Sequence, residues 1–112
     1  MKEVDLLITG ASGYIGSKLF EVAKKNNLNV MGVGKTKLYT DNYRIFDLSK
    51  TTTPVKLNEE FKICTIIHTA ALVPTSGGEY DLPEYIYQNQ LITENLLKIN
   101  SSNLIALSSI SV

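Results

Sequence analysis

The chain has 112 residues, 44% of them hydrophobic, with eleven basic and eleven acidic side chains and a formal net charge of +0. That is ordinary globular composition for one domain at most, with a thin core. It excludes the clustered basic surface that a nucleic-acid grip needs, and no run reaches the ~18 apolar residues of a membrane span.

Ten of the eleven Lys and Arg residues lie in positions 1–62, leaving only Lys98 beyond. The single Cys64 sits in an apolar run, where it reads as a core residue, so a disulfide framework is absent and a reducing compartment is expected. No charged-then-apolar leader precedes Val4. Together these point to a cytoplasmic protein.

In chain order, Val4 to Thr9 is a short apolar run, as expected of a strand buried on both faces. Ile15, Leu19, Val22 and Ala23 then recur at helical spacing until polar "KKNNLN". A second strand is predicted at Asn29 to Val33 and a third at "YRIFDL". The polar segment between them, Gly34 to Tyr43, is too short for a full helix. Thr51 to Pro54 breaks the chain before a short helix around Val55 to Phe61, and "ICTIIHTAA" is a fourth strand. "PTSGGEYDLP" has the turn residues of an exposed loop. From Leu82 to Ile99, Ile86, Gln90, Thr93 and Leu97 alternate with Leu91, Asn95 and Lys98 at a helical period. "NLIALSSISV" closes the chain as a fifth strand, apolar and exposed as an edge unless something covers it. Strands alternating with helices predict an α/β domain with a doubly wound parallel sheet.

The first strand-to-helix junction carries three glycines, Gly10, Gly13 and Gly16. Glycine weakens both elements, so this spacing needs a reason. In such sheets the first turn is where nucleotides bind: Gly10 can take the tight turn and Gly13 lets a pyrophosphate approach the backbone. Gly16 lets the helix pack closely, and the helix N-terminus faces the phosphates. A glycine loop that merely turns the chain is the plainer alternative; the βαβ placement favours binding.

The octet "TGASGYIG" departs from the usual G-x-G-x-x-G spacing and resembles the extended short-chain dehydrogenase/reductase superfamily, the branch of nucleotide-sugar epimerases, dehydratases and reductases. Four further stretches match in order: "FDL" at Phe46–Leu48, "IIHTAA" at Ile66–Ala71, "NQLITENLL" at Asn89–Leu97 and "LSSISV" at Leu107–Val112. The resemblance covers the whole chain and implies a Rossmann-type domain, residues 1–112 being its N-terminal five-strand portion. It implies cofactor contacts at Gly10, Ser12, Gly13, Tyr14, Ile15 and Gly16, at Asp47 and Leu48 for adenine, at Thr69, Ala70 and Ala71, and at Asn89. His68 is structural in such a family. Asn89–Leu97 departs from the family helix, with Ile92 where Gly is usual and Gln90 and Leu91 in place of Val-x.

NAD-preferring members place an acid at the end of the second strand, where it accepts the ribose hydroxyls and repels a 2′-phosphate. Here Gly34 takes that position, followed by Lys35, Thr36 and Lys37, with no acid before Asp41. NADP is therefore favoured over NAD, with Lys35 beside the 2′-phosphate. As plain surface residues, Lys35 and Lys37 would be solvated loop lysines, and Asp47 would cap the next turn.

The family's reaction uses a Tyr base, a Lys that lowers its pKa, and a Ser or Thr hydroxyl on the substrate, with the cofactor taking and returning a hydride. Ser109 matches the hydroxyl; a strand-end hydroxyl bonded to backbone is the alternative. The only Tyr-x-x-x-Lys is Tyr14 to Lys18, inside the glycine loop and so misplaced for catalysis. The catalytic pair is thus expected outside these residues, which alone should not turn over. Ile110 and Ser111 stand where dehydratases carry Asp-Glu, which favours an epimerase or a reductase. The resemblance implies a nucleotide-sugar or related small-molecule substrate and a homodimer formed partly by the Leu82–Ile99 helix. A stand-alone, non-catalytic dinucleotide-binding or regulatory module is the competing class.

Overall fold

A computed structural model describes residues 1–69 and 82–107 of the chain. In order, the elements are β1 (Lys2–Thr9), α1 (Tyr14–Lys25), β2 (Val30–Gly34), β3 (Tyr43–Ile45), α2 (Thr52–Glu60), β4 (Phe61–His68), α3 (Leu82–Leu97) and β5 (Ser101–Ala106). All strand pairs are parallel and the sheet order is β3-β2-β1-β4-β5. The chain therefore winds outward from β1 in one direction, returns, and winds outward from β4 in the other. This is the expected Rossmann-type α/β sheet, and its strand order reverses between β1 and β4.

Each face of the sheet has its own core. Leu7 pairs with Met31 and Ile66, and all three join Leu57 of α2 and Ile92 and Leu96 of α3 in one buried cluster. On the opposite face Ile8 and Val30 pack with Phe20 and Ala23 of α1. Gly32 makes that second contact possible: a Cβ there would lie 2.0 Å from Phe20 Cε2 and 2.8 Å from Ala11 Cβ. The α1 helix thus sits against bare backbone.

Several boundaries and faces differ from the sequence reading, each for a local reason. In α1 the buried residues are Gly16, Phe20 and Ala23, while Ile15 and Val22 are exposed. The glycine at position 16 permits the closest approach, so the buried stripe centres there. Asn27 ends the helix in the left-handed region (φ 57) and its N–H donates to Lys24 O, as C-terminal motifs require. Pro54 lies inside the first turn of α2 rather than before it, where its missing N–H is not needed. β3 stops at Ile45 because Asp47 closes a turn: Oδ1 accepts Ser49 N–H at 2.9 Å and the Ser49 hydroxyl at 2.6 Å. In α3 the buried residues are Ile92, Asn95 and Leu96, and Ile86, Gln90, Thr93 and Leu97 face outward.

Cys64 is not a core residue. It is exposed on β4, because α1 packs on β1 and β2 and leaves that stretch of β4 uncovered. β5 is an edge strand, and Leu104, Ile105 and Leu107 are exposed. No helix among the described residues is long and apolar enough to cross a membrane.

Candidate functional site

The ends of β1, β2 and β4 meet at the glycine loop. Gly10 leaves β1 with φ 67, a region that favours glycine. The next residue swings across to β2, where Ala11 N–H donates to Val33 O at 3.1 Å. Gly13 N–H then turns back to Gly10 O at 2.9 Å, and Gly13 serves as the N-cap of α1. Its carbonyl accepts the Ser17 N–H at 2.9 Å, opening the helical ladder. A helix leaves its first N–H groups without intrahelical partners, and here they emerge from a loop whose tip is solvent-exposed at Gly13, Tyr14 and Ile15.

The glycines differ sharply in what surrounds them. A Cβ on Gly16 would lie 2.0 Å from Gly10 O and 2.8 Å from Thr69 Oγ1, inside the packing between loop and sheet. A Cβ on Gly13 would meet Gly10 O at 3.3 Å and otherwise faces open space. An open helix N-terminus of this kind suits a phosphate group.

A buried network braces the point where the strand order reverses. Thr69 Oγ1 donates to Thr9 O at 2.5 Å, Thr69 N–H donates to Thr9 Oγ1 at 3.0 Å, and Thr9 Oγ1 lies 2.8 Å from His68 Nδ1. Burial lowers the His68 pKa below its ordinary 6.5 and favours the neutral ring. His68 is thus a structural residue, as expected, and the Thr69 hydroxyl is engaged with the backbone of β1.

At the end of β2, Gly34 is buried and its neighbourhood is full: a Cβ would lie 2.5 Å from Tyr43 Oη and 2.9 Å from Ser12 Oγ. The Tyr43 hydroxyl donates to Thr36 O and so ties down the turn that carries Lys35 and Lys37. Lys35 is exposed. Burial pushes the Asp47 pKa up, but the Ser49 hydroxyl, the Ser49 N–H and the charges of Lys35 and Lys50 outweigh it, and the carboxyl stays below 3.8. Oδ1 thus caps the next turn. Among the described residues no hydrogen bond reaches Oδ2.

Leu48 is a core side chain, 4% exposed. Asn89 lies in α3, partly exposed. Ala70, Ala71 and Ser109 fall outside the described residues. Tyr14 and Lys18 are one helical turn apart, with Nζ 5.2 Å from the ring centroid, an exposed cation–π pair at the loop's rim. Among the described residues no group of three or more His, Cys, Asp or Glu could hold a metal ion.

Sequence reasoning passed over Tyr43, Gly32 and Asn95. Asn95 left a readable signal, a polar residue on the stripe of Ile92, Leu96 and Ile99. Tyr43 and Gly32 left none, since both act through neighbours distant in sequence.

The model of the NAD dependent epimerase/dehydratase family matches residues 6–112. The chain belongs to that family. Among solved structures it is similar to MoeE5 in complex with UDP-glucose and NAD, at 29% identity and a TM-score of 0.69 over 94% of this chain and 36% of that one. The L-threonine dehydrogenase of Phytophthora infestans (20% identity, TM-score 0.76, 91% of this chain and 35% of that one) shares the fold. So does the UDP-glucose 4-epimerase of Thermus thermophilus in complex with NAD (22%, 0.71, 86% and 33%). The epimerase/dehydratase chain thus spans about a third of the length of these proteins. No curated protein sequence matches it.

Proposed function

We propose that residues 1–112 are the dinucleotide-binding, N-terminal portion of an NAD(P)-dependent nucleotide-sugar epimerase or reductase. The observation that carries this reading is the glycine turn, open at Gly13 at the N-terminus of α1, at the point where strand order reverses. In this reading the N–H groups at the start of α1 take the pyrophosphate, with Ser12, Tyr14 and Ile15 around it. Gly10 and Gly16 shape the turn, and Thr69, Ala70 and Ala71 line the ribose side. Asp47 accepts from the adenine amino group through Oδ2, while the Leu48 side chain, expected at the adenine, is turned into the core and leaves that contact to its backbone. The bound dinucleotide would supply hydride transfer. Asn89 contacts the dinucleotide and Ser109 is the hydroxyl that orients the substrate. The Tyr and Lys of the proton-transfer pair belong to chain beyond these residues.

The choice of dinucleotide turns on Gly34. The missing acid favours NADP, with Lys35 and Lys37 as partners of a 2′-phosphate. The Lys35 charge is, however, already felt by Asp47, and the two similar structures named with a dinucleotide hold NAD. UDP-glucose in the 29%-identical MoeE5 supports a nucleotide-sugar substrate. The outward stripe of α3, Ile86, Gln90, Thr93 and Leu97, is the surface through which a homodimer would form.

The test is turnover by the full-length protein. Incubation with UDP-sugars and either dinucleotide should give an epimer, or an oxidised or reduced sugar with matching change in nicotinamide absorbance. Dinucleotide binding without conversion of any nucleotide sugar would leave a binding module, and no binding would end the proposal.

A further inference from the structure

Asn95 is 2% exposed, on the buried stripe it shares with Ile92 and Leu96 of α3 and with Ile99 just past the helix end. A buried amide costs stability unless it is hydrogen-bonded, and an apolar residue there would complete the stripe. Its Nδ2 donates at 2.7 Å to the carbonyl of Leu48, 47 positions away in sequence. That carbonyl belongs to the residue after Asp47. From α2, the Thr53 hydroxyl (3% exposed) donates to the carbonyl of Asp47 itself at 2.6 Å. Two buried side chains on two helices thus hold consecutive carbonyls of one turn, while the Leu48 side chain is sunk in the core. These bonds fix the backbone of the turn that carries the Asp47 carboxylate.

We infer that Asn95 is a positioning residue for the adenine end of the dinucleotide site, setting the Asp47 carboxylate through the Leu48 carbonyl. The inference rests on the dinucleotide reading above. Thr53 acts in the same sense on the other carbonyl. Neither touches the ligand.

The test compares NAD with nicotinamide hypoxanthine dinucleotide, which replaces the adenine 6-amino donor by a carbonyl, on the full-length protein. A carboxylate facing that position should prefer NAD by about tenfold, the worth of a hydrogen bond to a charged acceptor. Asp47→Asn should erase the preference. Asn95→Asp, almost isosteric but unable to donate, and Asn95→Leu should each bring the ratio to within about a factor of two of unity. Ile99→Ala, a core truncation on the same stripe, should lower Tm and leave the ratio intact. If the Asn95 variants lose Tm and keep the full ratio, Asn95 is merely structural and the inference is overturned. A wild type that binds both dinucleotides equally also overturns it, because Asp47 then makes no adenine contact. A wild type that binds neither of these, nor NADP, overturns the dinucleotide reading itself.

Discussion

Gly13 and Gly16 lie three residues apart in one loop, yet a methyl group at each meets different surroundings. At Gly16 it would collide with the Gly10 carbonyl at 2.0 Å, so Gly16→Ala should cost stability at or above the upper end of the ~1–3 kcal/mol typical of overpacking. At Gly13 the nearest atom is 3.3 Å away and the backbone is extended (φ −81, ψ 175), so Gly13→Ala should cost about 1 kcal/mol, the loss of an N-cap glycine. Urea melts of the two variants check the contrast. Gly34 belongs with Gly16 in being crowded, but its neighbours are the movable ends of Tyr43 and Ser12. Gly34→Asp should therefore destabilise by ~1–3 kcal/mol, and Tyr43→Ala in the same chain should recover part of it. In both variants the NAD-to-NADP affinity ratio should rise, on the order of tenfold. A ratio that stays put would show that residue 34 does not face the ribose. His68 supplies a pH test. Its folded pKa is below 6.5, so stability is full above pH 6.5 and is lost as pH falls from there through the lowered value. Wild-type urea midpoints should fall on acidification across that window, and His68→Gln should flatten the slope. Asp47 acts in a separate window, below pH 3.8.

At the scale of elements, the tightest contact between α1 and the sheet is the Phe20 ring over Gly32, beside the packing of Ala23 in the same cluster. Phe20→Ala should cost about 3–5 kcal/mol, and Gly32→Ala should also destabilise because its methyl would sit 2.0 Å from the ring. Combining Gly32→Ala with Phe20→Leu should destabilise less than the sum of the two single changes, which thermal melts of the set can measure. The same contact explains what the sequence could and could not disclose. Strand and helix existence followed from apolar runs and 3.6-residue spacing, but the buried face of α1 was set by two glycines that periodicity does not count. In α3, Ile86 and Leu97 fit the helical period as well as Ile92 and Leu96 do, and only the packing against Leu57 and Ile66 chooses between them. Cys64 misled for a related reason: its run is apolar, but whether a strand face is covered depends on where the helices land. The glycine loop itself was legible because its chemistry is local, with all three glycines acting within seven residues.

At the scale of the whole molecule, the sheet has two unlike edges. β3 is three residues long and fastened by Arg44, whose guanidinium grips both Glu60 oxygens (3.1 and 2.9 Å) and lies over Phe46 and Phe61. Short, charged edges of this kind resist pairing with other chains. β5 has neither device, and exposes Leu104, Ile105 and Leu107. Residues 1–112 prepared alone should self-associate in sedimentation experiments, and Ile105→Lys should reduce that association. Between the edges, the reversal of strand order puts the Gly10–Gly16 loop, the Thr9–His68–Thr69 network and the Asp47 turn at the same ends of the parallel strands, which is where sheets of this class take their ligands. The measurement that tests this account most directly is a calorimetric titration of the full-length protein with NAD and NADP, wild type against Gly13→Val. The account predicts that the wild type binds at least one of them and that the valine, covering the open N-terminus of α1, weakens binding by about a hundredfold or more in a variant that still melts cooperatively. Equal affinities for the two proteins would contradict it.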